Sequence, residues 1–244
     1  YELPQGEAAL VLCGESWVRV YGHEELHLHF HNLMELGICR QGVGDMFLDE
    51  EVYKYHSGDI TIIPENFPHV TVSDGETTNF WEYIFIDLRS MIETMFPGNV
   101  AFQNDAVSSL SKRAYMTNER DNHIIAECIN GIIRETNEHK TYSQRAIALK
   151  VQEIVIELLR HDASLPEEKN NLVKGTNMSQ IASALDYINK HFKEQLKACE
   201  LAELCNMSET HFRRLFESFI NMPPMEYVNL IRVQNCLLYT SPSP

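Results

Sequence analysis

The feature that most constrains the fold of this chain is a series of short helical patterns between Ser179 and Val233. Apolar residues recur at helical intervals in two runs, which are separated by the segment Gln195–Lys197, and this predicts two helices. The apolar positions of these helices are Ile181, Leu185, Ile188, Phe192, Leu201, Ala202, Leu204 and Cys205. Several short helices in succession imply a small all-α domain in this part of the chain.

A tight turn and a third helix follow these two helices. Asn206 tolerates the left-handed conformation that a tight turn needs, and the hydroxyl of Ser208 can cap a helix that starts near Glu209. The predicted core face of this helix carries Phe212, Leu215, Phe216 and Phe219. The residues predicted on or beside the open face are Glu209, Thr210, His211, Arg213 and Arg214. Two helices joined by a short turn, with polar residues on the open face of the second, are typical of a DNA-binding motif.

Three segments of this region carry a family resemblance. Residues 201–208 (LAELCNMS), 212–216 (FRRLF) and 224–228 (PMEYV) resemble the first DNA-binding half of the AraC family of bacterial transcription regulators. The resemblance implies two helix-turn-helix motifs joined by a long helix, with each recognition helix in the major groove of double-stranded DNA. It implies a first recognition helix at 208–219 and a linking helix that begins near Met225. The DNA-binding residues that it implies are Ser208, Thr210, His211, Arg213 and Arg214.

Three residues depart from this family pattern. Lys197 stands where a Ser or Thr often caps the first helix of the motif, which weakens that cap slightly. Asn206 and Asn221 stand where Gly is common, but Asn adopts the left-handed conformation at modest cost.

The end of the sequence departs further. A second motif would need several more helices after Val233, yet the sequence ends at Pro244 after two prolines that cannot continue a helix. The sequence also opens with Tyr1 rather than Met. We therefore expect residues 178–236 to form an incomplete DNA-binding domain and residues 237–244 to be a non-native tail.

The charge is distributed unevenly along the chain. The formal net charge is −15, but residues 176–236 carry six Lys and Arg against seven Asp and Glu, so residues 1–175 carry fourteen against twenty-eight. A near-neutral DNA-binding half predicts few phosphate contacts and weak DNA binding by one motif alone. No apolar run approaches the length of a membrane span, which predicts a cytoplasmic protein with no membrane partner. The six cysteines show no C-x-x-C pair and are interpreted as reduced core thiols.

The front of the chain has the pattern of a β-domain. Between Leu26 and Leu88, short runs of alternating apolar and polar residues are separated by turn signals such as Ser57-Gly58-Asp59. This predicts a barrel or sandwich of about eight strands within residues 1–105.

Four residues of this β-domain could act together. His29, His31 and Glu35, followed by Gly42, have the spacing of a first cupin motif, and Gly58-Asp59 with Pro64, Pro68 and His69 resembles the second. The resemblance implies the small cupin barrel that many AraC-type regulators use to sense ligands. If Leu26 to Cys39 form one strand, His29, His31 and Glu35 share a face, and His69 can reach them from a neighbouring strand. Three imidazoles and one carboxylate could hold a divalent metal ion such as Zn, Fe, Mn or Ni, or they could line a ligand pocket without a metal.

Aromatic residues give a second set of pocket candidates. Trp81, Tyr83 and Phe85 alternate in one run and therefore share a face of a strand. They could stack on a small ligand such as a sugar, or they could belong to the barrel core. The predicted ligand pocket comprises His29, His31, Glu35, His69, Trp81 and Tyr83.

Residues 106–161 are predicted to form a pair of amphipathic helices. Isoleucine stripes run through 122–139, and a second apolar stripe runs through 143–161, where Thr141 to Gln144 resemble a capping box. Such a pair could form a homodimer or pack against the barrel, and the sequence leaves both open. Residues 162–177 are polar and without apolar period, and they are predicted to be a flexible linker.

The sequence therefore predicts an α+β chain with an N-terminal cupin-like barrel, a helical pair and an incomplete C-terminal all-α helix-turn-helix domain. We interpret it as a homodimeric, sequence-specific transcription regulator that responds to a small molecule, with no catalytic residues and no required cofactor. No phosphate-binding loop or nucleophile elbow is present in the sequence. The alternatives are a metal-dependent cupin enzyme, an oxygenase or isomerase, with a helical assembly tail, and a sensor fragment that no longer binds DNA.

Overall fold

The front of the chain forms two antiparallel sheets in the computed structural model, which describes residues 1–22, 29–48, 51–164, 180–220 and 222–240. The strands are β1 (Leu10–Leu12), β2 (Val18–Arg19), β3 (Met34–Gln41), β4 (Val43–Leu48), β5 (Glu51–His56), β6 (Asp59–Ile63), β7 (His69–Ser73), β8 (Asn79–Ile86) and β9 (Tyr115–Asn118). The large sheet has the order β1-β8-β3-β6-β9, with β2 also paired to β8, and the small sheet has the order β5-β4-β7. The predicted α+β class with an N-terminal β-domain is confirmed. In the described residues the strands form two sheets rather than a closed barrel.

Helices follow the strands and continue to the end of the described chain. They are α1 (Leu88–Met95), α2 (Val100–Leu110), α3 (His123–Glu138), α4 (Ser143–Ser164), α5 (Ala182–His191), α6 (Ala198–Leu204), α7 (Glu209–Ile220) and α8 (Pro224–Thr240), with a short 3₁₀ helix at Glu15–Trp17. Contacts divide the chain into two units, residues 1–173 and 174–244. Among the described residues, no helix combines the length and the apolar character that a membrane span requires.

The large sheet has two chemically different faces, because side chains on a strand alternate between its two sides. One face, here called the helix face, packs against α1 to α4. Its buried residues are Leu36, Ile38, Ile60, Ile62, Ile84 and Ile86. The other face, here called the inner face, is turned toward the small sheet. The cluster on that side includes Cys39, Met46, Tyr55, Ile63, Trp81, Tyr83 and Phe85.

The apolar stripes of α3 and α4 cover the helix face. Their buried residues belong to the same cluster as the sheet isoleucines: Ile125, Ile129, Ile132, Ile133, Ile147, Val151, Ile154, Val155 and Leu158. The sequence left open whether these apolar stripes form a homodimer contact or pack against the β-domain. In the structure the stripes pack against the β-domain. The segment 106–161 also contains strand β9, which the helical periodicity did not reveal and which pairs with β6. The predicted linker 162–177 lies mostly outside the described residues, since α4 ends at Ser164.

One predicted strand is interrupted. The prediction of a single strand from Leu26 to Cys39 is wrong at residues 30–33, because β3 begins only at Met34. A bend at Asn32 and Leu33 precedes it, and the main chain there bonds to a loop instead, with the Asn66 amide donating to the carbonyl of His31 at 2.6 Å. Residues 23–28 lie outside the described residues.

The second unit has the predicted helix boundaries. Helix α6 begins after Lys197 and α7 begins at Glu209, and Asn206 between them adopts a left-handed φ of 53°. The Ser208 hydroxyl accepts a hydrogen bond from the amide of His211 at 3.4 Å, as expected for a helix cap. At the start of α6 the Glu200 carboxylate accepts from the amide of Lys197 at 3.2 Å, which compensates for the missing Ser or Thr.

Packing within this unit is also largely as predicted. Phe212 and Phe216 are fully buried, whereas Leu215 is only half-buried. Arg232 on α8 donates to the carbonyl oxygens of Phe192 and Glu194, each at 2.7 Å, and so holds α8 against the end of α5. The side chain of Phe219 and all of Asn221 lie outside the described residues. Helix α8 runs to Thr240, and residues 241–244 lie outside them as well.

Candidate functional site

A cavity of about 840 Å³ opens on the inner face of the large sheet. Five of the six predicted pocket residues line it: His29, His31, Glu35, His69 and Tyr83. Its volume lies within the range of about 300–1,000 Å³ that is common for small-molecule sites. The cavity is therefore large enough for a metabolite-sized ligand.

Two long-range pairings bring the predicted quartet together. Glu35 lies on β3, opposite Ile63 of β6, and its side chain is turned to the inner face. Ahead of β3, His29 pairs with His69, and each amide donates to the other's carbonyl at 2.9 Å. The two pairings, Glu35 with Ile63 and His29 with His69, have the same antiparallel register. The segment from His29 to Glu35 therefore runs beside the segment from Ile63 to His69 in the opposite direction. His69 therefore reaches the others even though the predicted continuous strand is absent.

The four side chains lie within contact distance. The nitrogen donors of His29, His31 and His69 all lie within 4.8 Å of one another. Glu35 Oε2 lies 3.1 Å from His31 Nε2 and 3.5 Å from His69 Nε2. Glu35 and His69 are buried, His31 is half-buried and His29 is exposed. The cluster therefore extends from the protein interior to the solvent.

The ionisation of this cluster is set by competition between burial and charge. Burial would raise the pKa of Glu35, but His69 and His31 together hold this pKa well below its usual range. Burial disfavours the imidazolium of His69, yet the Glu35 carboxylate outweighs this and raises the pKa of His69. For His31 burial dominates and lowers the pKa. Glu35 is therefore an ionised carboxylate in a buried site.

His69 is held in a specific orientation. Its Nδ1 lies 2.9 Å from the carbonyl oxygen of Phe67, so Nδ1 carries the proton that is donated there. Its buried Nε2 has no hydrogen-bond partner among the described residues, and the 3.5 Å to Glu35 is long for a hydrogen bond. Either a proton or a cation at Nε2 would relieve the repulsion between a nitrogen lone pair and the carboxylate.

The three aromatic candidates have different positions. Tyr83 and Phe85 line the cavity, but Trp81 is fully buried and does not. Trp81 stacks in parallel on Tyr83 with their centroids 6.0 Å apart, and it meets the ring of Tyr55 edge-on. Trp81 therefore packs in the core next to the cavity, which is the alternative that the sequence left open.

Several further cavity residues were not predicted, and three of them lie close together in the sequence. Trp17, Arg19 and Tyr21 line the cavity from the segment around β2. Their alternation in the sequence is a signal that could have been used, because residues two apart in an extended segment share a face. The segment precedes the predicted β-region and matches no motif, so it was overlooked.

The predicted DNA-binding residues lie on the open side of the second unit. Ser208, Thr210, His211, Arg213 and Arg214 are all exposed. Arg213 is paired with Glu209, whose Oε1 lies 2.8 Å from Nε and 2.7 Å from Nη2. Arg214 has no such partner among the described residues, so its guanidinium is available to an anion.

Comparison with known proteins identifies the family. The family described as the AraC-like ligand-binding domain matches residues 18–158, which is more than half of the chain. The chain belongs to the AraC family of transcription regulators. The match includes the quartet, most of the cavity lining and most of the helices that cover the sheet of this AraC-family protein.

Curated relatives of this AraC-family chain are described as HTH-type transcriptional regulators. A regulator of Haemophilus influenzae is 23% identical over 216 residues, which cover 84% of this chain and 70% of the relative. YdeC of Bacillus subtilis is 21% identical over 237 residues, which cover 93% of this chain and 77% of YdeC. A relative from Staphylococcus aureus is 25% identical over 210 residues, which cover 85% of this chain and 26% of the relative. The chain therefore spans about a quarter of the length of that relative.

The chain is also similar to two solved structures. CuxR, an AraC-like transcriptional activator, has a TM-score of 0.44 at 15% identity, covering 86% of this chain and 68% of CuxR. ToxT from Vibrio cholerae O395 has a TM-score of 0.43 at 13% identity, and the match covers 92% of this chain and 96% of ToxT.

Proposed function

We propose that this protein is a DNA-binding transcription regulator whose cavity senses a small molecule. The observation that carries the proposal is the exposed polar face of α7, which Phe212 and Phe216 hold in place by their burial in a chain of the AraC family. A ligand in the cavity would change DNA binding by favouring one state of the protein. A regulator of this kind acts on DNA in the cytoplasm. The sugar effector suggested by the aromatic residues stays a prediction.

The roles proposed for the exposed residues follow from their environment. Arg214 is exposed and has no acidic partner among the described residues, which suits contact with a phosphate. Phosphate contacts position a protein on DNA without reading its sequence. Thr210 and Arg213 are proposed to read bases, and the pairing of Arg213 with Glu209 would orient its guanidinium.

Selection from a random double-stranded DNA pool with the full chain tests this proposal. The selected sequence and a scrambled one are then compared by fluorescence anisotropy across a series of salt concentrations. Arg214→Ala should weaken binding to the selected and to the scrambled sequence alike. It should also reduce the slope of the logarithm of the binding constant against the logarithm of the salt concentration by about 1. Thr210→Ala and Arg213→Ala should instead reduce the preference for the selected sequence.

Lys112, an exposed cation of the first unit, provides a charge-matched control, and Lys112→Ala should leave both affinities unchanged. If no sequence is enriched, or if the three α7 variants all behave like the parent protein, the docking through α7 is wrong. A chain that binds its ligand but enriches no DNA would be the sensor fragment considered from the sequence.

We also infer that His29, His31 and His69, with Glu35 beside them, can hold a divalent transition-metal ion. Support comes from the unpartnered Nε2 of His69 and from its Nδ1, which is engaged by a backbone carbonyl as in many metal-binding histidines. Imidazole and carboxylate donors suit Zn, Fe, Mn or Ni. Metal–nitrogen bonds of about 2.0–2.1 Å would require the three rings to move closer together. A bound ion would supply Lewis acidity and a coordination site that faces the cavity.

Metal binding is tested by adding Ni²⁺ or Zn²⁺ to chelator-treated protein and measuring its melting temperature. A metal at a hundredfold excess over its Kd stabilises the protein by about 2.7 kcal/mol. His69→Ala should abolish the shift, whereas His123→Ala, at an exposed position on α3, should preserve it. An equal shift in both variants would place the metal elsewhere. Turnover of a substrate that a chelator abolishes would favour the cupin enzyme over the regulator.

The homodimer predicted from the sequence requires a different surface from the buried stripes. The outer side of α4 exposes Leu149 and Ile156, which lie two helical turns apart. We propose this outer side as the contact between two copies. Light scattering should show a dimer for the parent protein and a monomer for Leu149→Glu, and a monomeric parent protein would refute the contact.

A further inference from the structure

Arg19 is a cation with a fixed position at the cavity. It lies at the end of β2, lines the cavity and is exposed. Its Cζ lies 4.7 Å from the centroid of the Trp17 ring and 4.9 Å from that of Tyr21. Contacts with two aromatic faces hold the guanidinium plane, and a side-chain hydrogen bond joins Arg19 to Tyr21. An arginine has five N–H donors, so the others can bind an anion. No carboxylate among the described residues forms a salt bridge with Arg19.

A row of rings leads from Arg19 toward the histidines. The centroids of Trp17 and Tyr83 lie 5.3 Å apart, those of Tyr83 and Phe85 lie 6.5 Å apart, and those of Phe85 and His31 lie 5.1 Å apart. All of these residues line the cavity. These four rings form one continuous surface, here called the aromatic wall. The positively charged guanidinium of Arg19 lies at one end of it.

We propose that the effector is a small organic acid with a flat aromatic or apolar body, whose anionic group binds Arg19 and whose body lies against the aromatic wall. This proposal rests on the proposed function of the cavity as the effector site. It replaces a general small molecule, or a sugar, with a defined chemical class.

The polar groups of the cavity favour an acid over a sugar. A sugar presents many hydroxyl groups, each of which needs a hydrogen-bond partner when it is buried. Among the described lining residues there is no Asn, Gln or Asp, and the carboxylate of Glu35 already contacts His31 and His69. The hydroxyl groups of Tyr21, Thr71 and Tyr83 also line the cavity, but each is already hydrogen-bonded to another protein group. Arg19 offers a rigid fork of N–H donors that matches the paired oxygens of a carboxylate or sulfonate. Charge and shape therefore agree on an anion with a flat body.

The test uses two dyes that differ only in their charged group. These are 1-anilinonaphthalene-8-sulfonate and N-phenyl-1-naphthylamine, which has the same aromatic body without the sulfonate. Each dye is titrated against the full chain, and its fluorescence gives a Kd. Arg19→Gln should weaken sulfonate binding at least tenfold and leave the uncharged dye unchanged. Arg19→Lys, which keeps the charge but not the fork, should weaken the sulfonate less than Arg19→Gln does.

Two further variants locate the dye and control for charge. Tyr83→Ala removes part of the aromatic wall and should weaken both dyes. Arg145→Gln changes an exposed arginine of α4 outside the cavity and should change neither. Circular dichroism of each variant establishes that the fold is retained.

The proposal is overturned if the parent protein binds the two dyes equally, or if Arg19→Gln changes both dyes or neither. It is also overturned if Tyr83→Ala leaves both affinities unchanged, because the dye would then lie outside the cavity. DNA binding measured on the same variants separates this proposal from the regulator function. Absence of DNA binding in every variant would refute the regulator function, whereas the dye result would still decide the chemistry of the cavity.

Discussion

The two faces of the large sheet use the same strands for different purposes. The helix face carries isoleucine and leucine side chains that α3 and α4 cover. The inner face of the same strands carries Glu35, Gly37 and Tyr83, and beside them a cavity remains open. Because neighbouring residues on a strand point in opposite directions, one strand can contribute to the stability of the fold and to a binding site at once. Substitutions on the two faces should therefore have different consequences.

The largest difference is expected from a matched pair of valines. Val151 on α4 is fully buried against the helix face, whereas Val70 on β7 of the small sheet is also buried but lines the cavity that the inner face borders. Val151→Ala removes buried methyl groups and leaves a void, so it should cost roughly 2–3 kcal/mol of unfolding free energy. Val70→Ala should cost clearly less, since it only enlarges an existing cavity. Urea denaturation measures both values.

Secondary-structure propensity cannot explain a larger loss of stability in Val151→Ala than in Val70→Ala. Alanine is favoured over valine in a helix and disfavoured in a strand, so propensity alone would produce the opposite order. Equal losses for the two variants would show that the cavity wall is packed as tightly as the helix face.

A pair of glycines should give the next largest difference. A Cβ on Gly37 would clash with Thr61 Oγ1 and would lie 3.3 Å from the ring of Tyr83. Gly37→Ala should therefore cost about 1–3 kcal/mol by overpacking and should weaken cavity ligands by displacing Tyr83. Gly131 on α3 would meet only the end of the flexible Lys150 side chain. Gly131→Ala should be neutral or stabilising by up to about 1 kcal/mol, because alanine favours a helix.

Thermal unfolding of both variants and a dye titration of Gly37→Ala provide the measurements. A destabilised Gly131→Ala combined with an unaffected Gly37→Ala would reverse the roles assigned to the two faces.

The smallest expected effect is a pH dependence that arises from the inner face. The pKa of Glu35 is lowered from 4.5, so its contribution is present above pH 4.5 and is lost as the pH falls through the folded pKa. The pKa of His69 is raised from 6.5, so its contribution is present below pH 6.5 and is lost as the pH rises through the folded pKa. His31 acts in the opposite sense, because its pKa is lowered by burial and its stability contribution therefore falls as the pH drops below 6.5. Metal-free protein should therefore have its highest melting temperature close to pH 6.5.

Glu35→Gln should flatten both sides of this profile, because Glu35 is also what raises the pKa of His69. Melting temperatures recorded from pH 4 to 8 with a chelator present would show this. A profile that Glu35→Gln leaves unchanged would assign the pH dependence to other groups.

The second unit was the more predictable part of the fold. Asn206, the start of α7 at Glu209 and the burial of Phe212 all follow from signals that lie within a few residues of each other. Short-range periodicity, caps and turn residues are sufficient when neighbouring helices are joined by short turns. The contact from Arg232 to the end of α5 was not predictable, because it joins residues about forty positions apart.

The β-domain was predictable in its class but not in its pairing. The alternation of residues indicates strands, yet the helical stripes around β9 give no sign of that strand, and the alternation predicts a start of β3 that is too early. Strand pairing depends on partners far away in the sequence, which alternation does not identify. The quartet was predicted as a set of residue types, although its geometry came from the pairing of His29 with His69.

The sequence by itself determined the helix-turn-helix elements, the β-character of the front of the chain and the residue types of the quartet. These depend on local periodicity, on backbone preferences and on donor chemistry. Only the tertiary structure decided that the stripes of α3 and α4 pack on the sheet, that Trp81 is buried while Tyr83 lines the cavity, and that Arg19 lies beside it. The physical reason is that these outcomes depend on which distant segments pack together, and an amphipathic stripe or an alternating strand fits many partners equally well.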